Sequence, residues 1–276
     1  MAILLSLLAA VSYGLADFCG GFASKRASAW SVALLGALTG SVLILSASLV
    51  LGGDPTAADY WWGAAAGVGN GFGTAFLYRG LSSGRMGVVA PVSGVGAAVI
   101  PVVVGVLLGE RPALLVWVGI AVALPAIWLV ARRPTGPSVA SPGGVLDGGL
   151  AGLGFGSLFV AFGQISEDAG LGPLVVGQVV AAAVIVLVAS LLRAPWRPSR
   201  PALMGGVLAG SLSAGATVCF LLATREGLLS VTSVLTSLYP AFTVVLAATV
   251  LREHVHRAQA AGLLLCAVAV TLVAAG

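Results

Sequence analysis

The sequence predicts an all-α polytopic membrane protein with ten transmembrane helices arranged as two inverted five-helix repeats. The first observation is composition: 59% of the 276 residues are hydrophobic and 8% are charged, whereas soluble domains carry about 25% charged residues. The second is that apolar runs recur along the whole chain, with a mean hydropathy of +1.11. The third is a residue pattern shared by the two halves. Ten helices of about 20 residues leave no room for a soluble domain.

Turn and charge signals separate the apolar runs and set the helix boundaries. Such breaks occur at 52–55 (Gly-Gly-Asp-Pro), 82–85 (Ser-Ser-Gly-Arg), 110–112 (Glu-Arg-Pro) and 170–173 (Gly-Leu-Gly-Pro). We place the helices at 2–24, 30–51, 60–79, 86–108, 112–131, 144–166, 171–192, 201–223, 229–251 and 257–275.

The longest connection lies near the middle of the chain. It contains Pro134, Pro137 and Pro142 among glycine and serine residues, a composition that neither spans a membrane nor packs as a core. We therefore divide the chain into a first repeat, 1–131, a linker, 132–143, and a second repeat, 144–276. Because no positive charge precedes the first apolar run, we expect that run to remain as a membrane helix.

Charge and cysteine usage exclude several classes of partner. The net charge of +4 comes from thirteen basic residues scattered singly or in pairs, so we expect no nucleic-acid surface. Cys19, Cys219 and Cys266 each lie in an apolar run and form no CxxC, which argues against a disulfide framework or a thiolate metal site. We expect no metal and no cofactor. The expected partners are the lipid bilayer and a small-molecule substrate, with the protein a monomer or a homodimer.

The two halves coincide at an offset of 143 residues. At this offset Glu110 meets Glu253, and there are only four glutamates in the chain. Composition bias explains single matches, but it explains less well a shared acid at the end of the fourth helix of each half. Further pairs at the same offset are Gly63 with Gly206, Gly67 with Gly210, Thr74 with Thr217, Ala98 with Ala241 and Gly119 with Gly262.

The distribution of basic residues predicts that the two repeats are inverted. The connections after odd-numbered helices hold eleven of the thirteen Lys and Arg residues, and the other two are Arg111 and Arg225. Five helices per repeat is an odd number, so the second repeat must enter the membrane with the opposite orientation. By the positive-inside rule the arginine-rich connections are cytoplasmic. We therefore predict a multi-pass protein of the cytoplasmic membrane with both termini outside, which reporter fusions at Gly276 would test.

Several short motifs make the chain resemble an EamA-type transporter of the drug/metabolite transporter superfamily. They are Ser-Tyr-Gly at 12–14 in the first helix, Gly-Glu-Arg-Pro at 109–112 after the fourth, and Arg-Glu-His at 252–254 after the ninth. Trp-Val-Gly-Ile at 117–120 and Gln-Ala-Ala-Gly at 259–262 lead into the last helix of each half. The second half departs from the pattern, because Phe155-Gly156 stands where the first half has Tyr13-Gly14.

This resemblance implies a ten-helix bundle that exports small metabolites, amino acids or toxic compounds by alternating access. It also implies that helices 1, 3, 4, 6, 8 and 9 surround a central cavity, that helices 2 and 7 support it, and that helices 5 and 10 close the ends. A non-coupled facilitator or channel, or a non-transporting membrane scaffold, is the alternative. An intramembrane enzyme is not expected, because no nucleophile and base, and no metal ligands, converge at membrane depth. Heavy use of Ala, Gly and Arg suggests a bacterial inner membrane.

Asp17 is the sharpest candidate for chemistry. A carboxylate inside a membrane helix costs about 2.5–3.5 kcal/mol on insertion scales, so something must offset that cost. One interpretation is a proton- or cation-responsive group that lines a cavity together with Tyr13, one turn earlier. The other is a structural acid that is hydrogen-bonded to neighbouring helices near the cytoplasmic end. Its counterpart in the second half is Phe159, so any acid chemistry is asymmetric.

Asn70 is the only asparagine and lies within the glycine-rich stretch at 67–73 of the third helix. The spacing matches no phosphate-binding loop. GxxxG pairs at 63/67, 67/71, 69/73 and 206/210 favour close packing of helices three and eight. Asn70 itself is either a hydrogen-bond partner for substrate or glue between helices.

Prolines with neighbouring hydroxyls mark the fourth and ninth helices. Proline frees a backbone carbonyl, which is tolerated where protein, hydroxyls or a water-filled cavity satisfies it. Such sites in corresponding helices of two inverted halves suggest the transport path, although Pro101 could be a plain kink. Gln164 and Gln178 either form hydrogen bonds between helices or contact the ligand. The candidate substrate and proton pathway is Tyr13, Asp17, Asn70, Pro91, Ser93, Gln164, Ser233, Thr236, Tyr239 and Pro240.

Charged residues at helix ends have a simpler explanation, because they can reach water. An alternative for Glu110 and Glu253 is that they pair with arginines across the connections and latch one access state. His254 and His256 are too few for a metal site. The tryptophans fall near helix ends, as interfacial belts do.

Overall fold

The computed structural model describes residues 1–24, 26–82, 86–131, 142–250, 252 and 255–276, and the side chains at 78, 80–82, 86–88, 91 and 142 lie outside this description. The regular secondary structure of the described residues is helical, with a 3-10 turn at Glu167–Ala169 between α6 and α7. The helices are α1 Ala2–Ala23, α2 Ala29–Leu51, α3 Ala57–Ser82, α4 Met86–Leu107, α5 Leu114–Ala131, α6 Pro142–Phe162, α7 Gly172–Leu191, α8 Arg200–Glu226, α9 Leu229–Thr236, α10 Tyr239–Val250 and α11 Arg257–Ala275.

The prediction of an all-α membrane protein is confirmed. Among the described residues, eight helical segments are long and apolar enough to cross a membrane, and α9 with α10 counts as one of them. A shorter apolar segment, 92–107, lies in α4. A helix of about 20 residues matches the hydrocarbon thickness of a bilayer. The fold is therefore that of a multi-pass membrane protein.

The ninth predicted helix, 229–251, corresponds to α9 and α10, which together count as one apolar span with a break between them. The break falls at Ser237 and Leu238, where Leu238 N–H turns back to the carbonyl of Leu235 at 3.2 Å. Pro240 explains it, because proline has no N–H to donate to the carbonyl of Thr236 and its ring would clash with that carbonyl in a continuous helix. Pro240 was the predicted breaker of this helix.

Several other boundaries differ from the sequence-based placement by a few residues, and α3 extends over Ala57–Ser82 and not 60–79. α6 ends at Phe162 and not at 166, so Gln164 lies in the turn beyond the helix, where its N–H donates to the carbonyl of Ala161 at 3.2 Å. α8 continues to Glu226 and not 223. Its last turn carries Arg225 to the connection with α9.

The helices pack in matched pairs. The contact of α1 with α8 corresponds to the contact of α6 with α3. The contact of α2 with α8 corresponds in the same way to the contact of α7 with α3. α2 also packs on α7, and α5 packs on α11. α4 lies against α6, α9 and α5, while α1 lies against both α9 and α10. The largest pairings between the halves therefore have counterparts in which the halves exchange places.

Glycines allow the closest of these approaches, as the GxxxG spacing predicts. A Cβ on Gly67 would meet the carbonyl of Gly177 on α7, and one on Gly210 would meet Gly36 on α2. On another face of α3, a Cβ on Gly69 would lie 2.6 Å from the carbonyl oxygen of Gly154. The glycines thus bring α3 against α7 and α6, and α8 against α2.

One end of the bundle gathers the connections after α2, α4, α6 and α8, and we call it the acidic end. Asp59, buried in the first turn of α3, accepts hydrogen bonds from the backbone N–H groups of Thr56 and Ser166 and from both hydroxyls, over 2.6–3.0 Å. The N–H of Asp54 donates to the carbonyl of Asp168 at 2.8 Å. These bonds join the α2–α3 and α6–α7 connections.

The last turns of α1, α3, α5, α7 and α10 lie at the other end, and we call it the basic end. There, Arg79 at the end of α3 forms an ion pair with Asp147, which is buried in α6. The Ser31 hydroxyl donates to the carbonyl of Arg197 at 2.7 Å. Both contacts link the first half of the chain to the second.

Candidate functional site

Asp17 is exposed although it lies within α1. Tyr13, one turn earlier, and the buried Ser6, three turns earlier, share its face of the helix. Leu4 and Leu8, which are 62% and 53% exposed, lie on the opposite face, as expected for residues in contact with lipid. The carboxylate of Asp17 is therefore exposed toward the inside of the bundle and not toward lipid.

Two tyrosines and a threonine surround this position. The Tyr13 hydroxyl forms a 3.0 Å hydrogen bond with the hydroxyl of the buried Thr217 on α8. The Tyr13 ring meets the ring of Tyr239, at the start of α10, edge to face with centroids 6.4 Å apart. Asp17 lies within electrostatic range of both tyrosines. We call Tyr13, Asp17, Thr217 and Tyr239 the tyrosine–aspartate cluster.

Gly14 explains how α1 and α10 come close enough to form the cluster. A Cβ on Gly14 would lie 2.6 Å from the Cβ of Phe242 and 2.8 Å from the carbonyl oxygen of Tyr239. The Thr243 hydroxyl donates to the carbonyl of Gly14 at 3.2 Å. A glycine is thus required directly after Tyr13, because the backbone of α10 occupies the space of a side chain.

The cluster lies where the two parts of the broken helix differ in burial. Within 229–238 every residue except Val231 is buried, whereas Ala241 is the buried residue of α10. α9 packs against α4, α1 and α5, while the main neighbours of α10 are α1, α5 and α11. In α1, the last buried residue is Ala16. The segments of α1, α9 and α10 around the cluster are therefore more buried on its acidic side than on its basic side.

The predicted hydroxyls of α4 and α9 are buried and mostly satisfied by their own helices. The Ser93 hydroxyl donates to the carbonyl of Ala90 at 3.0 Å, and that of Ser233 donates to the carbonyl of Leu229 at 2.6 Å. Thr236 reaches the carbonyl of Ser6 on α1 at 3.4 Å. These three residues contribute to helix packing in this structure. Ser233 and Thr236 lie on the acidic side of the cluster, whereas Ser93 lies nearer the basic end of α4.

The remaining predicted pathway residues lie apart from the cluster. Asn70 is half-buried on α3 between the glycine faces that contact α6 and α7, and no described residue forms a hydrogen bond with its side chain. Gln164 lies in the turn beyond α6. Pro240 adjoins Tyr239 and is half-buried. Pro91 belongs to α4, and its side chain lies outside the described part of the chain.

Three contacts described above were not predicted from the sequence. Thr217 was noted only as the repeat counterpart of Thr74, a signal that carried no role. Asp147 was not singled out, although an acid near the start of an apolar helix indicates a buried partner. Thr243 lies one turn after Tyr239, and that spacing could have drawn attention to it.

Glu110 is neither a fully solvated charge at a helix end nor paired with a described arginine, the two environments expected from the sequence. It is half-buried, and its carboxylate accepts hydrogen bonds from the backbone N–H groups of Leu229 at 2.5 Å and Ser230 at 3.0 Å, the first two residues of α9. Arg111 instead donates to the carbonyls of Val106 and Glu110 itself. Glu253, its predicted counterpart, and His254 lie outside the described residues.

No group of three or more His, Cys, Asp or Glu side chains that could hold a metal ion occurs among the described residues. The three cysteines of the chain are free. The chemistry that the cluster offers is therefore that of one carboxylate, two phenols and a hydroxyl. These groups can exchange a proton and form hydrogen bonds with a polar solute.

Comparison with known proteins identifies the family. The family model described as "EamA-like transporter family" matches residues 1–132 and 143–275. None of the curated proteins matches the chain. A solved structure titled "Crystal structure of protein" has a TM-score of 0.77 and 17% sequence identity, over 98% of this chain and 95% of that one, which shows a shared fold. Because the two matched segments span nearly the whole sequence, the chain belongs to the EamA-like transporter family.

Proposed function

We propose that this protein is a secondary transporter that exports a small metabolite, amino acid or drug-like solute across the cytoplasmic membrane by alternating access. Membership of a transporter family supports the general activity. The observation that carries the proposal is Asp17, an exposed carboxylate on the inward face of α1 beside Tyr13 and Tyr239. A charged group inside a membrane bundle is costly, and such groups mark solute and ion pathways.

The proposed architecture is two inverted five-helix repeats, with α9 and α10 together forming the fourth helix of the second repeat. The paired helix contacts support it, because α1 on α8 and α3 on α6 exchange when the halves exchange. The two matched family segments support the same division. In this arrangement both termini are outside, the basic end faces the cytoplasm, and the cluster lies between two alternately opened sides.

We further propose that Asp17 couples transport to a proton. The described arginines lie at helix ends or in connections, so none of them neutralises Asp17. A proton or a solute group must therefore balance its charge when the surrounding bundle closes. The Tyr13 and Tyr239 hydroxyls, and that of Thr217, would orient the polar part of the solute. The half-buried apolar surface around them would receive its apolar part.

The test compares extracellular metabolites, by mass spectrometry, from cells that express wild type, Asp17→Asn or no transporter, at matched membrane levels. We expect at least one compound to accumulate with wild type and to fall toward the vector level with Asp17→Asn. Asp54→Asn is the matched control, because Asp54 is exposed in a connection. Equal accumulation with Asp17→Asn would keep export but remove Asp17 from the mechanism.

The facilitator and scaffold alternatives make different predictions in the same cells. A non-coupled facilitator would export the compound at a rate independent of the proton gradient, in both wild type and Asp17→Asn. A scaffold would produce no difference from the vector in export or in uptake.

A further inference from the structure

We infer that Glu110 is the latch that holds the acidic end of the bundle closed, and that the structure is the state in which the cluster opens toward the basic end. This inference rests on the proposed function, because a latch has a purpose only if the bundle alternates between two states. It assigns a role to a carboxylate that lies well away from the tyrosine–aspartate cluster.

The geometry of Glu110 is that of a helix cap supplied by another helix. Its two carboxylate oxygens accept hydrogen bonds from the N–H groups of Leu229 and Ser230 at 2.5 and 3.0 Å. Neither N–H has a partner within α9, because the first N–H groups of a helix lack one. A carboxylate is the favoured partner there, since the helix N-terminus carries partial positive charge.

The backbone at Gly109 and Glu110 positions this carboxylate at the start of α9. After α4 ends, Gly109 takes a left-handed conformation with φ +102°, and the N–H of Glu110 returns to the carbonyl of Gly105 at 2.9 Å. The Glu110 side chain then folds over Gly105, where a Cβ would collide with its carboxylate. The Gly-Glu pair at 109–110 thus turns the chain back toward α9.

The two sides of this contact belong to different packing groups. Glu110 follows α4, which packs on α6, whereas α9 packs on α1 and α8 and also lies against α4, so the two groups meet where α4 contacts α9. The acidic end cannot open between these groups unless α9 moves away from the end of α4. That movement exposes the two N–H groups of α9 to water and breaks both hydrogen bonds to Glu110.

A second bond crosses the same boundary. Arg225, in the last turn of α8, donates to the carbonyl of Ser166 at 3.2 Å in the turn after α6. Leu229 also packs against Gly163 in that turn, where a Cβ on the glycine would lie 2.9 Å from the Leu229 side chain. The closed end is therefore held by contacts between the groups, with Glu110 as the carboxylate among them.

The experiment measures access to α9 and needs no knowledge of the solute. Ser233, which is fully buried in α9, is changed to cysteine in a background where the three native cysteines are replaced by alanine. The rate of labelling by a membrane-impermeant maleimide, in cells of established topology, then reports how often the acidic end opens. We expect Glu110→Gln to raise that rate about tenfold, because the charge that pairs with the α9 N-terminus is lost.

Two further variants make the result decisive. Glu226→Gln is the matched control, because Glu226 is an exposed glutamate of the same end, and it should leave the labelling rate unchanged. Glu110→Asp retains the charge on a shorter side chain and should give an intermediate rate. Thermal unfolding in detergent shows whether each variant is folded, and if Glu110→Gln is not, the comparison uses Glu110→Asp.

An unchanged labelling rate in a folded Glu110 variant would overturn the latch, even if transport is confirmed. Equal increases in the Glu110 and Glu226 variants would also overturn it, because they would indicate a general charge effect. An increase specific to Glu110 would support the latch even if the metabolite comparison finds no exported compound. The latch and the proposed function therefore fail independently.

Discussion

Gly67→Ala tests the packing on which the bundle depends. A Cβ at this position would meet the carbonyl of Gly177 and lie 2.8 Å from the Cβ of Val180, both on α7. Ordinary van der Waals contact begins near 3.4 Å, so the methyl group fits only if α3 and α7 separate. One neighbour is backbone, which cannot turn aside as a flexible side chain can. Overpacking of this kind costs about 1–3 kcal/mol.

Gly215→Ala on α8 is the matched control, because a Cβ there has no neighbour within 4 Å. Both changes gain the same helix propensity, about 1 kcal/mol, so the difference between the variants isolates the packing cost. The assay is thermal unfolding in detergent, where we expect Gly67→Ala to unfold about 2–6 °C below Gly215→Ala. Equal unfolding temperatures would refute the inference that α3 and α7 touch through Gly67.

Three further substitutions test individual contacts. Tyr13→Phe leaves the buried Thr217 hydroxyl without its partner. We expect about 1 kcal/mol lower stability and a higher solute concentration for half-maximal transport. Unchanged transport would remove Tyr13 from the pathway. Asp59→Asn replaces one acceptor oxygen with a donor, and unfolding in detergent should show a loss of about 2 kcal/mol; a smaller effect than at an exposed aspartate would contradict its bridging role. Asp147→Asn removes the charge that faces Arg79. Because the Arg79 side chain is 40% exposed, we expect the free energy of unfolding to fall by only about 1–2 kcal/mol. No change in unfolding would mean that the ion pair contributes nothing to stability.

The sequence predicts the class of protein because the bilayer imposes it. Apolar runs of about 20 residues have few other solutions, and turn signals separate them. The family match confirms the resemblance drawn from the short motifs. The inverted orientation, the sidedness of the ends and the role of Asp17 stay predictions, since they depend on a membrane and a solute.

The details that sequence reasoning missed depend on which helix faces which. Thr217 acquires its role only because α8 turns that residue toward Tyr13. Glu110 acquires its role because the end of α4 meets the start of α9, which are separated by more than a hundred residues in the chain. Pro240 signalled a break in the ninth helix, but the burial difference between α9 and α10 comes from their neighbours. Such facts belong to tertiary packing, which residue patterns do not specify.

The most direct test of the account is uptake into proteoliposomes under an imposed pH gradient, with the compound that the metabolite comparison identifies. Purified wild-type protein should give saturable uptake that rises with an imposed pH gradient, while Asp17→Asn should lose the response to pH and most of the uptake. The Asp54→Asn control should behave as wild type does. Saturable, pH-dependent uptake that is the same in wild type and Asp17→Asn would contradict the claim that the tyrosine–aspartate cluster is the coupled transport site.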